Sequence, residues 1–194
     1  MMPINISDVT QFQDSNLPPP NANGAFEWVI KNHTFNSQLW DEEDLARRTK
    51  TSDADIAANK RAIDKFNQAR NDAVERIDEM LLVSLNLADP HAVPKNAELH
   101  SETAGAMIDR LSIMALKIRA MKKQTERADV DAAHIESSTV KLAQLRQQRA
   151  DLADNCEKLL RHCAKGTRYF KIYRQFKMYN DPRYNPVLVA ESKQ

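Results

Sequence analysis

The chain has 194 residues, 42% hydrophobic and 28% charged, enough to bury a sizeable core and few enough for one domain. Its 28 Lys and Arg against 27 Asp and Glu leave a formal net charge of +1, so no global field draws it to nucleic acid and any basic site must be local. Glycine occurs only at Gly24, Gly105 and Gly166 where average usage would supply about thirteen, which largely excludes tight hairpins, dinucleotide folds and phosphate loops and leaves an all-α chain.

Residues 1–24 carry Pro18, Pro19 and Pro20 among Asn, Gln and Ser and read as an irregular N-terminal arm. The first residues lack the basic start and apolar stretch of a signal peptide, and no apolar run approaches the ~20 residues of a membrane span, so a cytoplasmic protein is expected. A single helical-bundle domain is expected over residues 25–186, followed by a C-terminal tail at 187–194. Residues 26–49 are apolar at Trp28, Val29, Ile30, Phe35, Leu39, Trp40 and Leu45 but broken near 32–36, which predicts two short helices. The acidic run Asp41 to Asp44 points around a helix and reads as a solvated face or a helix start. Thr51, Ser52 or Asp53 caps a long helix to about residue 87, whose stripe is Ile56, Ile63, Val74, Ile77, Leu81 and Leu85.

After a connection at 89–100, Ser101 is placed as the cap of a third helix that runs to about residue 126. It is apolar on one face through Met107, Ile108, Leu111, Met114, Ile118 and Met121 and on another through Ile113 and Leu116, which marks it as central. Asp129 is placed as the cap of a fourth helix of about 35 residues, ended by Lys165-Gly166, where glycine reaches the left-handed conformation cheaply. The sum is an antiparallel helical bundle of about four main helices, two of them long, with short terminal helices.

Polar residues stand where a plain bundle would have leucine. Lys60, Asp64, Asn67, Asn71, Glu75 and Asp78 fall within about 80° of one another beside the apolar stripe, and Arg70 lies inside it. Arg110, Lys117 and Gln124 recur between the two apolar faces of the third helix; His134, Lys141 and Gln148 do so on the fourth, where Arg149 falls among the leucines. An unpaired buried charge is too costly to be incidental. Two arrangements answer it. One is an internal network in which Asp64, Glu75 and Asp78 pair with Arg70, Arg110, Lys117 and Arg149; the other is an interhelical pocket whose carboxylates orient arginines toward an anionic or sugar-like ligand. Residues 158–179 add seven basic side chains and no acidic one, with Tyr169, Phe170, Tyr173, Phe176 and Tyr179 interleaved. That combination suits bases, sugars or phosphates, and equally packs a helix onto a bundle.

Catalytic and metal signatures are weak. Asp131-x-x-His134 is half of a carboxylate-helix metal pattern that needs two Glu-x-x-His pairs, so no metal and no cofactor is called for. Cys156 and Cys163 lie roughly 10.5 Å apart along one helix face, too far for a disulfide, and read as small core residues. Glu102 and Asp109, at the entrance to the third helix, are the general acid/base candidates. Arg110, Lys117, Arg149, Arg174 and Lys177 are candidates to neutralise a ligand phosphate or carboxylate, with Asn67 and Asn71 for hydroxyls and Asp64 beside them. Gly105, four residues past the expected cap, marks the close approach of a backbone or of a ligand, and the place to look for a bound anion.

The strings Asn36-x-x-Leu39-Trp40-x-x-Glu43-Asp44-x-Ala46-Arg47, Lys60-Arg61-x-Ile63-Asp64-x-x-Asn67-Gln68-x-Arg70-Asn71-Asp72, Ser101-Glu102-Thr103, Asp109-Arg110-Leu111-Ser112-Ile113, Leu116-Lys117, Gln148-Arg149-x-Asp151-Leu152 and Lys171-x-Tyr173-Arg174-Gln175-Phe176-Lys177-Met178-Tyr179-Asn180-Asp181-Pro182 resemble an uncharacterised bacterial family. That family is a domain of unknown function met beside glycosyltransferase and lipopolysaccharide or capsule sugar genes. The resemblance covers residues 36–186 and implies a cytoplasmic all-helical protein near surface-polysaccharide assembly, with no established activity. Two departures stand out: a histidine is expected where Asp41 stands, and Pro-Gly-Ser where Ala104, Gly105 and Ala106 follow Thr103.

The function expected is the binding of an anionic small molecule, a phosphosugar or nucleotide-sugar, in an interhelical polar cleft. The alternative is a non-enzymatic adaptor or homodimer whose aromatic-basic tail and Trp28/Trp40 region dock a glycosyltransferase or a second copy. RNA binding is a third reading, fitted by the tail but not by the charge balance. No reaction is legible.

Overall fold

The computed structural model describes residues 3–174, 178 and 181–193. Among them lie six α-helices: α1 (Ile6–Ser15), α2 (Ala25–Leu45), α3 (Asp53–Ser84), α4 (Ala104–Thr125), α5 (Ala132–Ala164) and α6 (Pro186–Glu191). Two short strands, β1 (Glu98–Leu99) and β2 (Arg168–Tyr169), pair in parallel with Glu98 opposite Arg168. The chain is an all-α antiparallel bundle with α2 to α5 as its main helices and α3 and α5 as the long ones. No helix of the described residues is long and apolar enough to cross a membrane.

Two helical hairpins, α2/α3 and α4/α5, make the frame, and α4 touches α1, α2, α3 and α5. Its two apolar faces account for that central place. The core runs through Phe12, Phe26, Val29, Ile77, Leu81, Ile108, Leu111, Leu159 and Phe170. Cys156 and Cys163 are free and buried in it; burial pushes their thiols up to about 12 and about 11, so both stay protonated.

Several local expectations are corrected. The arm is not irregular throughout: α1, capped by Asn5, buries Ile6, Val9, Phe12 and Gln13, and the stretch 16–24 after it lacks regular structure. No basic residue stands in its last turn, and arginines from the bundle complement the helix dipole instead, Arg149 donating to the Thr10 carbonyl at 3.0 Å and Arg119 to that of Gln13 at 3.4 Å. Residues 26–45 form one helix rather than two, because Asn32, His33 and Asn36 find hydrogen-bond partners on α4 and do not compete with their own backbone. Of the two readings of the acidic run, the solvated face is the one seen, at the end of α2 rather than at a helix start; Asn59 binds Glu42 and Arg47 binds Glu43, both at 2.7 Å.

The third and fourth helices start later than expected. Thr103, not Ser101, caps α4, because the His100 N–H is still committed to the Tyr169 carbonyl at 2.8 Å in the strand pairing. Asp131, not Asp129, caps α5, while Asp129 is held in the loop by Arg127 at 2.6 Å. Gly166, at φ 67°, turns the chain out of α5 as expected, and Arg168-Tyr169 then continues as strand. Phe176, Lys177 and Tyr179 lie outside the described residues.

Candidate functional site

Helices α2, α3 and α4 leave between them a groove of about 390 Å³ lined by Asn36, Trp40, Asn67, Arg70 and Ile113, with Glu43, Asp44 and Arg47 at its α2 side, where Arg47 pairs with Glu43. Under its floor lies a cluster of buried polar side chains. Asn32 and Asn36 sit one turn apart on α2 and both donate to Asp109 Oδ1 on α4, at 2.8 and 2.9 Å. Asn36 also donates to Ser112 Oγ at 3.0 Å, and His33 Nδ1 lies 2.8 Å from the same oxygen. Burial first, and the charges of Arg119 and Arg149 next, lower the His33 pKa to about 4, so the ring is neutral.

Arg70 enters this groove from α3 without a full set of partners. Its Nη1 stands 3.8 Å from Asp109 Oδ2, beyond hydrogen-bond reach, and its Nη2 reaches Asn71 Oδ1 only at 3.4 Å. Its Nε is buried with no partner. Arg70 was visible in the sequence as a charge inside the apolar stripe. Asn32, His33 and Asn36 left a different trace, the polar break read above as a gap between helices.

The other sequence-derived candidates spread over several places. Asn67 lines the same groove and Asp109 lies beneath it. Asn71 opens instead onto a smaller pocket at the start of α4, with Asp78 and Glu102. Arg110 and Lys117 face a broad groove of about 730 Å³ between α4 and α5, where Arg110 Nη1 is bound to Glu102 at 2.7 Å. Glu102 and Asp109 therefore serve different clefts. Arg149 is buried against α1, where its Nη1 bridges both Asp14 oxygens at 2.8 and 2.9 Å. Asp64 pairs with Lys60 along α3, Arg174 pairs with Glu75 and Glu79, and Lys177 is outside the described residues. The Asp131 carboxylate of the half metal pattern accepts the His134 N–H as a helix cap.

A family model described as a protein of unknown function, DUF4254, matches residues 26–172. The chain belongs to the DUF4254 family. Neither a curated protein nor a solved structure matches it. The DUF4254 match runs from α2 through β2, leaving α1 outside and, of the last string quoted above, taking in only Lys171 and Ile172. Four of the other strings meet at the groove: the first through Asn36, Trp40 and Arg47, the second through Asn67 and Arg70, and the two α4 strings through Ile113 and Leu116.

In this DUF4254 chain the acceptor at the N-terminus of α4 is one of its own side chains. Asp78 of α3 accepts the Gly105 N–H at 2.6 Å, and a Cβ on Gly105 would lie 2.7 Å from the Val74 carbonyl oxygen. Of the two explanations for Gly105, the neighbouring backbone is the one seen. Burial raises the Asp78 pKa to about 7, with the charge of Glu75 adding and hydrogen bonds from Thr103 and Gly105 opposing.

The native state thus binds the Asp78 proton more tightly than the unfolded chain does, and this contribution to stability falls as pH rises from about 4 to about 7. His33, lowered from 6.5 to about 4, works the other way: its contribution is full above its unfolded value and is lost as pH falls toward 4. The two slopes oppose, so the urea midpoint of the wild-type chain is expected to change little between about pH 4.5 and pH 6.5. Asp78→Asn keeps an oxygen for the Gly105 N–H and removes one slope. Its stability should rise over that window by on the order of a few kcal/mol, and a flat profile for this variant would contradict the assignment.

Proposed function

We propose that the domain binds an anionic small molecule, a phosphosugar or nucleotide-sugar, in the groove between α2, α3 and α4. Arg70 carries the reading. Its side chain is about three-quarters withdrawn from solvent, with an exposure of 25%, yet it has no carboxylate at hydrogen-bonding distance and a buried Nε without a partner. A buried donor left unmet costs about 1–3 kcal/mol, and a bound anion that engages the guanidinium would relieve that cost. Trp40 offers a ring face to a sugar, and the Asn67 amide has no partner among the described residues and suits a hydroxyl. The volume of about 390 Å³ lies within the range of small-molecule pockets. Surface-polysaccharide metabolism, the setting implied by the resemblance, would supply such ligands.

The chain has two tryptophans, so Trp28→Phe leaves Trp40 as the sole reporter. Titrating that variant with sugar phosphates and nucleotide-sugars should change Trp40 emission saturably for at least one of them. Arg70→Met in the same background should weaken that ligand by roughly ten- to a hundredfold while the helical signal persists. No saturable change with any ligand, or equal binding by the Arg70 variant, overturns the proposal.

A further inference from the structure

A second groove, of about 600 Å³, lies where the end of α3, the loop after it and the chain following β2 come together. Leu82, Leu87 and Phe170 are buried in its floor, and Val93 stands in the wall. Two cations complete it, Lys95 from the loop and Lys171 from beyond β2, and no carboxylate is among the lining residues. Neither lysine makes an ion pair among the described residues; Lys171 Nζ lies 5.8 Å from the centre of the Tyr169 ring.

The two lysines are far apart in the chain and are brought to one groove by the pairing of Glu98 with Arg168 and Leu99 with Tyr169. The loop is fixed as well as clasped. Pro94 packs where a Cβ on Gly166 would stand, 3.0 Å away, and its carbonyl accepts the Ala97 N–H at 2.9 Å. The groove is therefore formed before anything enters it.

A sugar phosphate would match the lysines but leave the leucine and phenylalanine floor without an apolar partner, and a neutral hydrocarbon would do the reverse. We propose that this groove binds a single-chain amphiphile, its anionic head between Lys95 and Lys171 and its alkyl chain over Leu82, Leu87, Val93 and Phe170. The site is separate from the α2/α3/α4 groove and does not depend on what binds there.

The test is calorimetric titration of the full chain with dodecyl phosphate below its micelle concentration, beside butyl phosphate and dodecyltrimethylammonium. Dodecyl phosphate should saturate at about one per chain, with butyl phosphate weaker by at least about tenfold because it lacks most of the apolar area. Dodecyltrimethylammonium should not compete. The double variant Lys95→Glu, Lys171→Glu should lose at least about tenfold in affinity for dodecyl phosphate, and Val93→Asp, which leaves both lysines in place, should lose affinity too. Failure of dodecyl phosphate to bind overturns the proposal, as does equal binding of the cationic amphiphile or full affinity in the charge-reversed variant.

Discussion

Gly105→Val should separate α4 from α3, and Gly105→Ala should already be destabilising. In an ordinary helix the alanine exchange would stabilise by about 1 kcal/mol. Here the added Cβ would stand 2.7 Å from the Val74 carbonyl oxygen and 2.8 Å from the Asp78 carboxylate, and the first of these is backbone that cannot rotate aside. The two helices must part, and the Asp78 to Gly105 hydrogen bond lengthens with them. Overpacking of this kind costs about 1–3 kcal/mol and more for a branched side chain, so alanine should lower the midpoint of the helical signal by several degrees and valine by roughly 10 °C or more, at about 2–4 °C per kcal/mol. An alanine variant that melts at or above the wild-type temperature would show that the helices do not approach this closely.

Gly105 also marks the limit of what the sequence conveys. Its position inside a helix showed that something approaches, but not what, because helical periodicity says which residues share a face and nothing about which element lies opposite. The two-sided apolar pattern of α4 was legible as centrality for the same reason that the long stripes of α3 and α5 were: each is a property of one helix. Asn32 and Asn36 are illegible as partners of Asp109 because they stand 77 and 73 positions away, and without the partner their polarity looks like a break. Arg149 stands out in the sequence as a charge among leucines, yet its carboxylate is Asp14, 135 positions away on a helix whose polar composition conceals its short apolar face. Arg70 is legible as a charge inside the apolar stripe; only the geometry shows that it lacks a partner.

Asp109→Ala carries the second large expectation. Asp109 is the acceptor for the fully buried Asn32 amide and a carboxylate 3.8 Å from Arg70, so its removal strands a donor on α2 and takes a neighbouring opposite charge from a guanidinium on α3. Leaving such groups unpaired costs about 3–5 kcal/mol, which corresponds to a fall in melting temperature on the order of 10 °C. Asn32→Leu on its own should also destabilise, since it leaves Asp109 with one amide fewer. Combined, the two changes should be less damaging than their sum by about 1 kcal/mol or more, because the leucine no longer has a donor to strand. Strict additivity would mean that the pair does not act as a unit.

The placing of α1 has a consequence for how the chain is made. Its apolar face, Ile6, Val9 and Phe12, leaves the ribosome before any of the surface it covers, and the arginine that holds its last turn, Arg149, follows more than 130 residues later. At about 5–20 residues per second that interval is roughly 7–30 s. The α2/α3 hairpin can zip from local contacts in that time, but the site for α1 needs both α4 and α5. For several seconds of each synthesis the apolar face of the first segment has no complete surface to cover it, and ten residues alone are too few for a stable helix in water, so α1 is expected to form only as α4 and α5 arrive.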